Sequence, residues 1–203
     1  MFVMISTTGE FMGMHWLQAD ASHPARIPLP WAVSLMLLTV LPLTFYLGDW
    51  NLPLWVSFIV WAEYFALGAK LSTWKSILPS LPFGALIAAL WCGSATGMGR
   101  LIESYLGPLD SLYLGYAVTN LFWVTLLVYA CQWTASFRTG TLAVFNGFTL
   151  YLAVYFTGSI PSIDTIGGAY KVMAWAFVWT VALSYFGWFL GWLNIVLTFP
   201  KKP

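Results

Sequence analysis

The sequence predicts an all-α integral membrane protein built as a six-transmembrane-helix bundle. Three observations carry that expectation. Of 203 residues, 60% are hydrophobic and only 7% are charged, against about 25% charged in an ordinary soluble domain. The apolar residues run in long unbroken stretches, not in the ~10-residue alternating segments of a transmembrane barrel. A spanning helix needs roughly 20 apolar residues, and six such segments with their connections account for the chain. The composition excludes a disordered chain. A net charge of +1, with no basic cluster longer than Lys201–Lys202, argues against nucleic acid as a partner.

Residues 1–28 mix Phe2, Phe11, Trp16 and Leu17 with polar side chains. They read as an N-terminal arm lying in the membrane interface or against a neighbour. The first basic residue is Arg26, so a signal peptide is not expected. The transmembrane domain covers 29–198, with spans at 29–48, 53–70, 80–99, 113–133, 140–160 and 172–198. Pro53 opens the second span as Pro does in a first helical turn, Trp50 and Trp55 mark an aromatic belt, and Lys70 closes it. The third, with Pro79, Pro82, Gly84, Gly93, Gly97 and Gly99, is the span expected to be broken or tightly packed. The fifth ends at Pro161. Residues 199–203 form a tail.

An even number of spans puts both termini on one side. That side collects Arg26, Lys70, Lys75, Arg138, Lys201 and Lys202, and the other Arg100 and Lys171, so both termini are expected in the cytoplasm. A cell inner membrane fits this bias. Phe58, Trp61, Phe65 and Gly68 share their spacing with Phe148, Tyr151, Tyr155 and Gly158. That repetition pairs spans two and five and allows two inverted three-helix repeats.

Glu63 is the most informative side chain. It lies ~15 Å of helix rise from Pro53 and ~10 Å from Lys70, at a depth where an acidic residue costs about 2.5–3.5 kcal/mol to insert. It is read as a titratable gate or solute contact, or as a structural carboxyl bonded to a neighbouring helix. Asn120, Asn146 and Asn194 fall in or near spans four, five and six, where an amide requires a partner. They either line a polar path or hold helices together. Gly93 and Gly97, and Gly187 and Gly191, form G-x-x-x-G patterns for close helix packing. Ser94 and Thr96, inside the first pattern, could line a constriction. Trp175, Trp179, Trp188 and Trp192 form either packing and belt residues or an aromatic slot for a small flat solute. Cys92 and Cys131 sit in apolar runs as small core residues, with no disulfide framework implied.

Missing residue types narrow the chemistry. His15 and His23 are the only histidines and both precede the first span, so no haem, pigment or metal ligation by a spanning imidazole is expected. There is no H-E-x-x-H, C-x-x-C or Walker loop. No catalytic residue, metal or cofactor is expected, and the protein reads as not an enzyme.

The stretch Asn51–Leu52–Pro53–Leu54–Trp55–Val56–Ser57–Phe58–Ile59–Val60–Trp61–Ala62–Glu63–Tyr64–Phe65–Ala66–Leu67–Gly68 resembles the LPLW–W-A–F–G signature of YcdZ-like bacterial inner-membrane proteins, a family of unknown function. The resemblance implies location and helix count and supplies no activity.

The functional expectation is a channel or facilitator for a small, mainly uncharged polar solute. Glu63, Asn120, Asn146, Ser94 and Thr96 are the candidate path or gate residues. The alternative is a non-catalytic accessory subunit of a larger membrane complex. Expected partners are the lipid bilayer, further copies of the chain or other membrane subunits, and the solute.

Overall fold

The computed structural model describes residues 27–48, 50–107 and 111–198. Most of the expected arm and the whole tail lie outside these residues, as do Arg26, Lys201 and Lys202. Seven helices follow in order: α1 Leu29–Gly48, α2 Trp55–Ala66, α3 Trp74–Leu106, α4 Ser111–Ala130, α5 Ala135–Thr139, α6 Thr141–Thr157 and α7 Ala169–Thr198. Short 3-10 turns occupy Leu71–Thr73 and Ile163–Thr165. There is no strand among the described residues.

Three stretches are long and apolar enough to cross a membrane: Leu71–Tyr105, Ser111–Ala130 and Ala169–Thr198. Leu29–Leu43, Trp55–Ala66 and Thr141–Thr157 are shorter apolar helices. The expected second span, 53–70, is helical over only the 12 residues of α2. That is about 18 Å at 1.5 Å per residue, short of an apolar layer about 30 Å thick.

The early stop of α2 has a local cause. Gly68 takes φ +91° and Ala69 φ +50°. The Gly68 N–H donates to the Phe65 carbonyl at 2.9 Å and the Ala69 N–H to the Tyr64 carbonyl at 3.0 Å. This pair of bonds is a Schellman ending, which requires a left-handed residue that glycine adopts without a Cβ penalty. Helix α6 stops in the same way. Gly158 takes φ +64°, its N–H meets the Tyr155 carbonyl at 3.2 Å, and the Ser159 N–H meets the Val154 carbonyl at 3.1 Å. Gly68 and Gly158 are the closing members of the spacing repeated between the two segments.

The third expected span is not broken. Helix α3 runs through Pro79 and Pro82 as one element of 33 residues. A proline inside a helix leaves the carbonyl four residues earlier without its donor. For Pro82 that carbonyl belongs to Leu78, and it accepts the Tyr185 hydroxyl of α7 at 2.9 Å. The neighbouring helix therefore supplies the bond that the proline removes.

Helix α3 is central and lies against α4, α6 and α7, while α7 also carries α1 and α2. Contacts fix the relative directions. Gly99 meets Leu112, Gly115 meets Ala95 and Phe83 meets Trp133, so α3 and α4 run antiparallel. Gly84 lies on Val144 and Trp91 stacks on Phe148, so α3 and α6 run parallel. The Ser57 hydroxyl of α2 donates to the Leu183 carbonyl of α7 at 2.9 Å and Gly191 lies on Tyr64, so these two helices are also parallel. The main core, including Tyr64, Ile77, Leu81, Cys92, Tyr151 and Leu183, fills the space between α2, α3, α6 and α7.

Glycines set the close approaches. A Cβ at Gly84 or Gly147 would run into the backbone across the α3–α6 contact, and one at Gly187 into the Ser57 backbone. Gly191 sits against the Tyr64 ring. The other expected glycine pair is placed differently. A Cβ on Gly97 would have nothing within 4 Å, and one on Gly93 would make only ordinary contact with Tyr170 and Met173. The close α3–α4 approach falls at Gly99 and Gly115 instead, because those residues face the backbone of the partner helix.

Candidate functional site

Helices α2 and α6 meet antiparallel and are tied at two levels. The Asn51 side-chain N–H donates to the Gly158 carbonyl at 2.6 Å. Further along, Asn146 Nδ2 donates to Glu63 Oε2 at 2.9 Å. Glu63 is 3% exposed and lies on a helix whose other residues are almost wholly apolar. Its second oxygen, Oε1, is buried without a hydrogen-bond partner. Asn146 is half-buried, and Ile59 and Ala66 on the Glu63 flank are exposed. The carboxyl group therefore sits in a seam closed on the α7 side and open on the other.

A cavity lies beyond each end of this seam. One of about 420 Å³ is lined by Trp50, Asn51, Ile160, Pro161, Ser162, Ile163 and Asp164. The other, about 230 Å³, is lined by Leu67, Lys70, Ser72, Thr73, Ser76 and Thr139. The first lies where α2 begins and α6 has ended, and the second where α2 ends and α6 is about to begin. Both exist because α2 and α6 stop short and polar turns take over. Ser76 and Thr139 share a hydroxyl–hydroxyl hydrogen bond of 2.8 Å in the second cavity.

Among the described residues, the buried side-chain polar atoms without a partner are Trp61 Nε1, Glu63 Oε1, Thr180 Oγ1, Trp188 Nε1 and both amide atoms of Asn194. A buried polar group left unpaired costs about 1–3 kcal/mol, and all six of these atoms lie on α2 and α7.

Of the five expected path residues, the structure brings Glu63 and Asn146 together. Ser94 belongs to the α3–α4 contact, donating to the Trp91 carbonyl and accepting Trp123 Nε1 at 2.7 Å. Thr96 donates to the Cys92 carbonyl within α3. Asn120 is exposed on the outer face of α4, away from the seam. The reason is rotational: Gly115 and Thr119 are the buried residues at this level of α4, and Asn120 follows at 100° on the helix wheel. Asn194 is fully buried on α7. Trp175 is exposed, whereas Trp188 meets Tyr64 edge-on with ring centroids 6.4 Å apart. The two cavity mouths were not singled out from the sequence. Their signal is a Ser/Thr-rich turn directly after Lys70 and a Pro-Ser-Ile-Asp turn after α6.

Among the described residues no three His, Cys, Asp or Glu side chains gather as a metal site. The long apolar helices, with large apolar side chains such as Phe45, Leu121 and Phe122 turned outward, define a helical membrane-embedded protein. Within that class the chain belongs to the DUF1097 family, a protein family of unknown function, which it matches over residues 32–199. No curated protein and no solved structure matches it.

Proposed function

We propose that the chain is a six-span inner-membrane facilitator for a small, mainly uncharged polar solute, with the α2–α6 seam as its path and Glu63 as the gate. One observation carries the reading. The two short helices that close with the same Schellman ending lie side by side, with a part-buried Glu63–Asn146 hydrogen bond between cavities at both ends of their seam. Short apolar segments in corresponding positions of two halves are the usual pointer to a transport site.

In this reading α1–α3 and α4–α7 are inverted repeats, and α2 and α6 are equivalent. The parallel α3–α6 and α2–α7 contacts exchange with one another under that symmetry, which supports it. Both termini lie in the cytoplasm, where Lys70, Lys75 and Arg138 gather. A solute passing the seam exchanges hydrogen bonds with Glu63 Oε1 and the Asn146 amide, and the apolar walls exclude ions by dehydration. The bilayer or a neighbouring subunit completes the wall at Ile59 and Ala66. The protein performs no covalent chemistry. The narrower YcdZ-like membership rests on the Asn51–Gly68 stretch.

The test is stopped-flow swelling of proteoliposomes with urea, formamide and glycerol. Selective flux that changes in Glu63→Gln supports the reading. Flux no greater than that of empty vesicles overturns it in favour of an accessory subunit, to be sought by native co-purification.

A further inference from the structure

Helix α4 presents a face that no other described residue covers. It packs chiefly on α3, burying Ser111, Gly115, Thr119, Leu127 and Ala130. Asn120 is the tenth of its 20 residues, about 15 Å from either end. It is exposed, and no described residue hydrogen-bonds its amide. An Asn side chain facing hydrocarbon at mid-span retains two donors and an acceptor with nothing to pair with, which is unfavourable.

The neighbouring residues give that amide a setting. Tyr113, Ala117, Asn120 and Val124 follow at spacings of four, three and four, the seam pattern of a left-handed helix pair. Ala117, one turn away, is small and exposed, so a second helix can approach closely there. A single Asn in such a seam fixes register and partner number, because its amide is self-complementary. Across a two-fold axis each Nδ2–H meets the other copy's Oδ1, and one residue type satisfies both sides.

We propose that the outer face of α4 is the contact with a second copy of this chain, paired in parallel about Asn120. Both copies share one membrane orientation, so like residues face like along the seam. The contact buries the amide that the solute path leaves unused.

The experiment uses the full chain in phosphatidylcholine–phosphatidylglycerol vesicles. Ala117→Cys keeps Asn120 in place, and the native Cys92 and Cys131 are buried, so background oxidation is low. Mild oxidation is expected to give a cross-linked species of twice the chain mass. Leu38→Cys, exposed on α1, is expected to remain monomeric. Asn120→Leu in the Ala117→Cys background should lower cross-linking about three- to eighteenfold, since interhelical polar contacts contribute about 0.6–1.7 kcal/mol each. Because Asn120 is exposed, this change leaves the core intact. Ala117→Cys that stays monomeric overturns the proposal. Equal cross-linking at Leu38→Cys, indifference to Asn120→Leu, or a native-membrane product of mixed mass also overturns it.

Discussion

Glu63 of α2 accepts a hydrogen bond from the Asn146 amide of α6 at 2.9 Å, while its other oxygen is buried and unpaired. The two residues are 83 positions apart in sequence. They tie together helices whose direct contact is slight compared with their contacts to α7 and α3. The pair is therefore the principal polar bond at this level of the seam.

Removing one partner should cost more than removing both. Asn146→Leu leaves the Glu63 carboxyl buried without a donor and is expected to destabilise the protein by about 1–3 kcal/mol. Glu63→Leu combined with Asn146→Leu should be closer to neutral, because no buried polar group is left behind. Denaturant unfolding in detergent, read as a double-mutant cycle, checks this. Additive single effects would mean that the hydrogen bond contributes nothing.

On the proposed reading Glu63 gates the path, and flux then depends on pH. Protonation changes Glu63 Oε1 from an acceptor into a donor and alters how it meets both Asn146 and a passing solute. Wild-type urea flux is expected to differ between acidic and alkaline vesicles. Glu63→Gln, which keeps the shape and cannot titrate, should give a flat profile. The same pH response in both proteins would place the titrating group elsewhere.

The glycines divide into two sets that a single substitution distinguishes. Gly187→Ala drives a methyl group into the Ser57 backbone, where neither helix can yield cheaply. Overpacking of this kind costs about 1–3 kcal/mol, and the Ser57–Leu183 bond is strained with it. Gly97→Ala meets nothing within 4 Å and should be neutral or slightly stabilising, since Ala is favoured over Gly inside a helix by about 1 kcal/mol. Thermal unfolding of the two variants side by side provides the measurement. Equal melting temperatures would remove the close α2–α7 contact from the account.

These cases show what the sequence could convey. Helix positions were legible because apolar runs report them directly, and the Phe58–Gly68 and Phe148–Gly158 spacing marked two helices that end alike. The depth of Glu63 in an apolar stretch singled it out, but its partner was not legible. Asn120, Asn146 and Asn194 are indistinguishable by composition, and only the rotation of each helix decides which one faces α2. The G-x-x-x-G pattern marks Gly93 and Gly97 as readily as Gly187 and Gly191, because it encodes small residues on one face, not which face meets a neighbour. The early end of α2 is hidden in the sequence for a related reason. Leu67, Gly68 and Ala69 are apolar enough to continue a span, yet the Schellman bonds to Tyr64 and Phe65 end it there.

Helix α3 offers the last test, since it runs as one element of 33 residues through both prolines of the span expected to be broken or tightly packed. The Tyr185 hydroxyl of α7 donates to the Leu78 carbonyl at 2.9 Å, the acceptor that Pro82 deprives of its helical donor. Tyr185→Phe keeps the ring and removes only that bond, leaving a carbonyl unpaired. The expected loss is about 1–3 kcal/mol. A second change discriminates the cause. Pro82→Ala restores the helical N–H, so Tyr185→Phe in that background should cost much less, and the two substitutions should be strongly non-additive. Unfolding free energies of the four proteins decide the matter. If Tyr185→Phe costs the same with proline or alanine at position 82, the hydroxyl does not act as the missing helical donor, and the continuity of α3 rests on its packing against α4, α6 and α7.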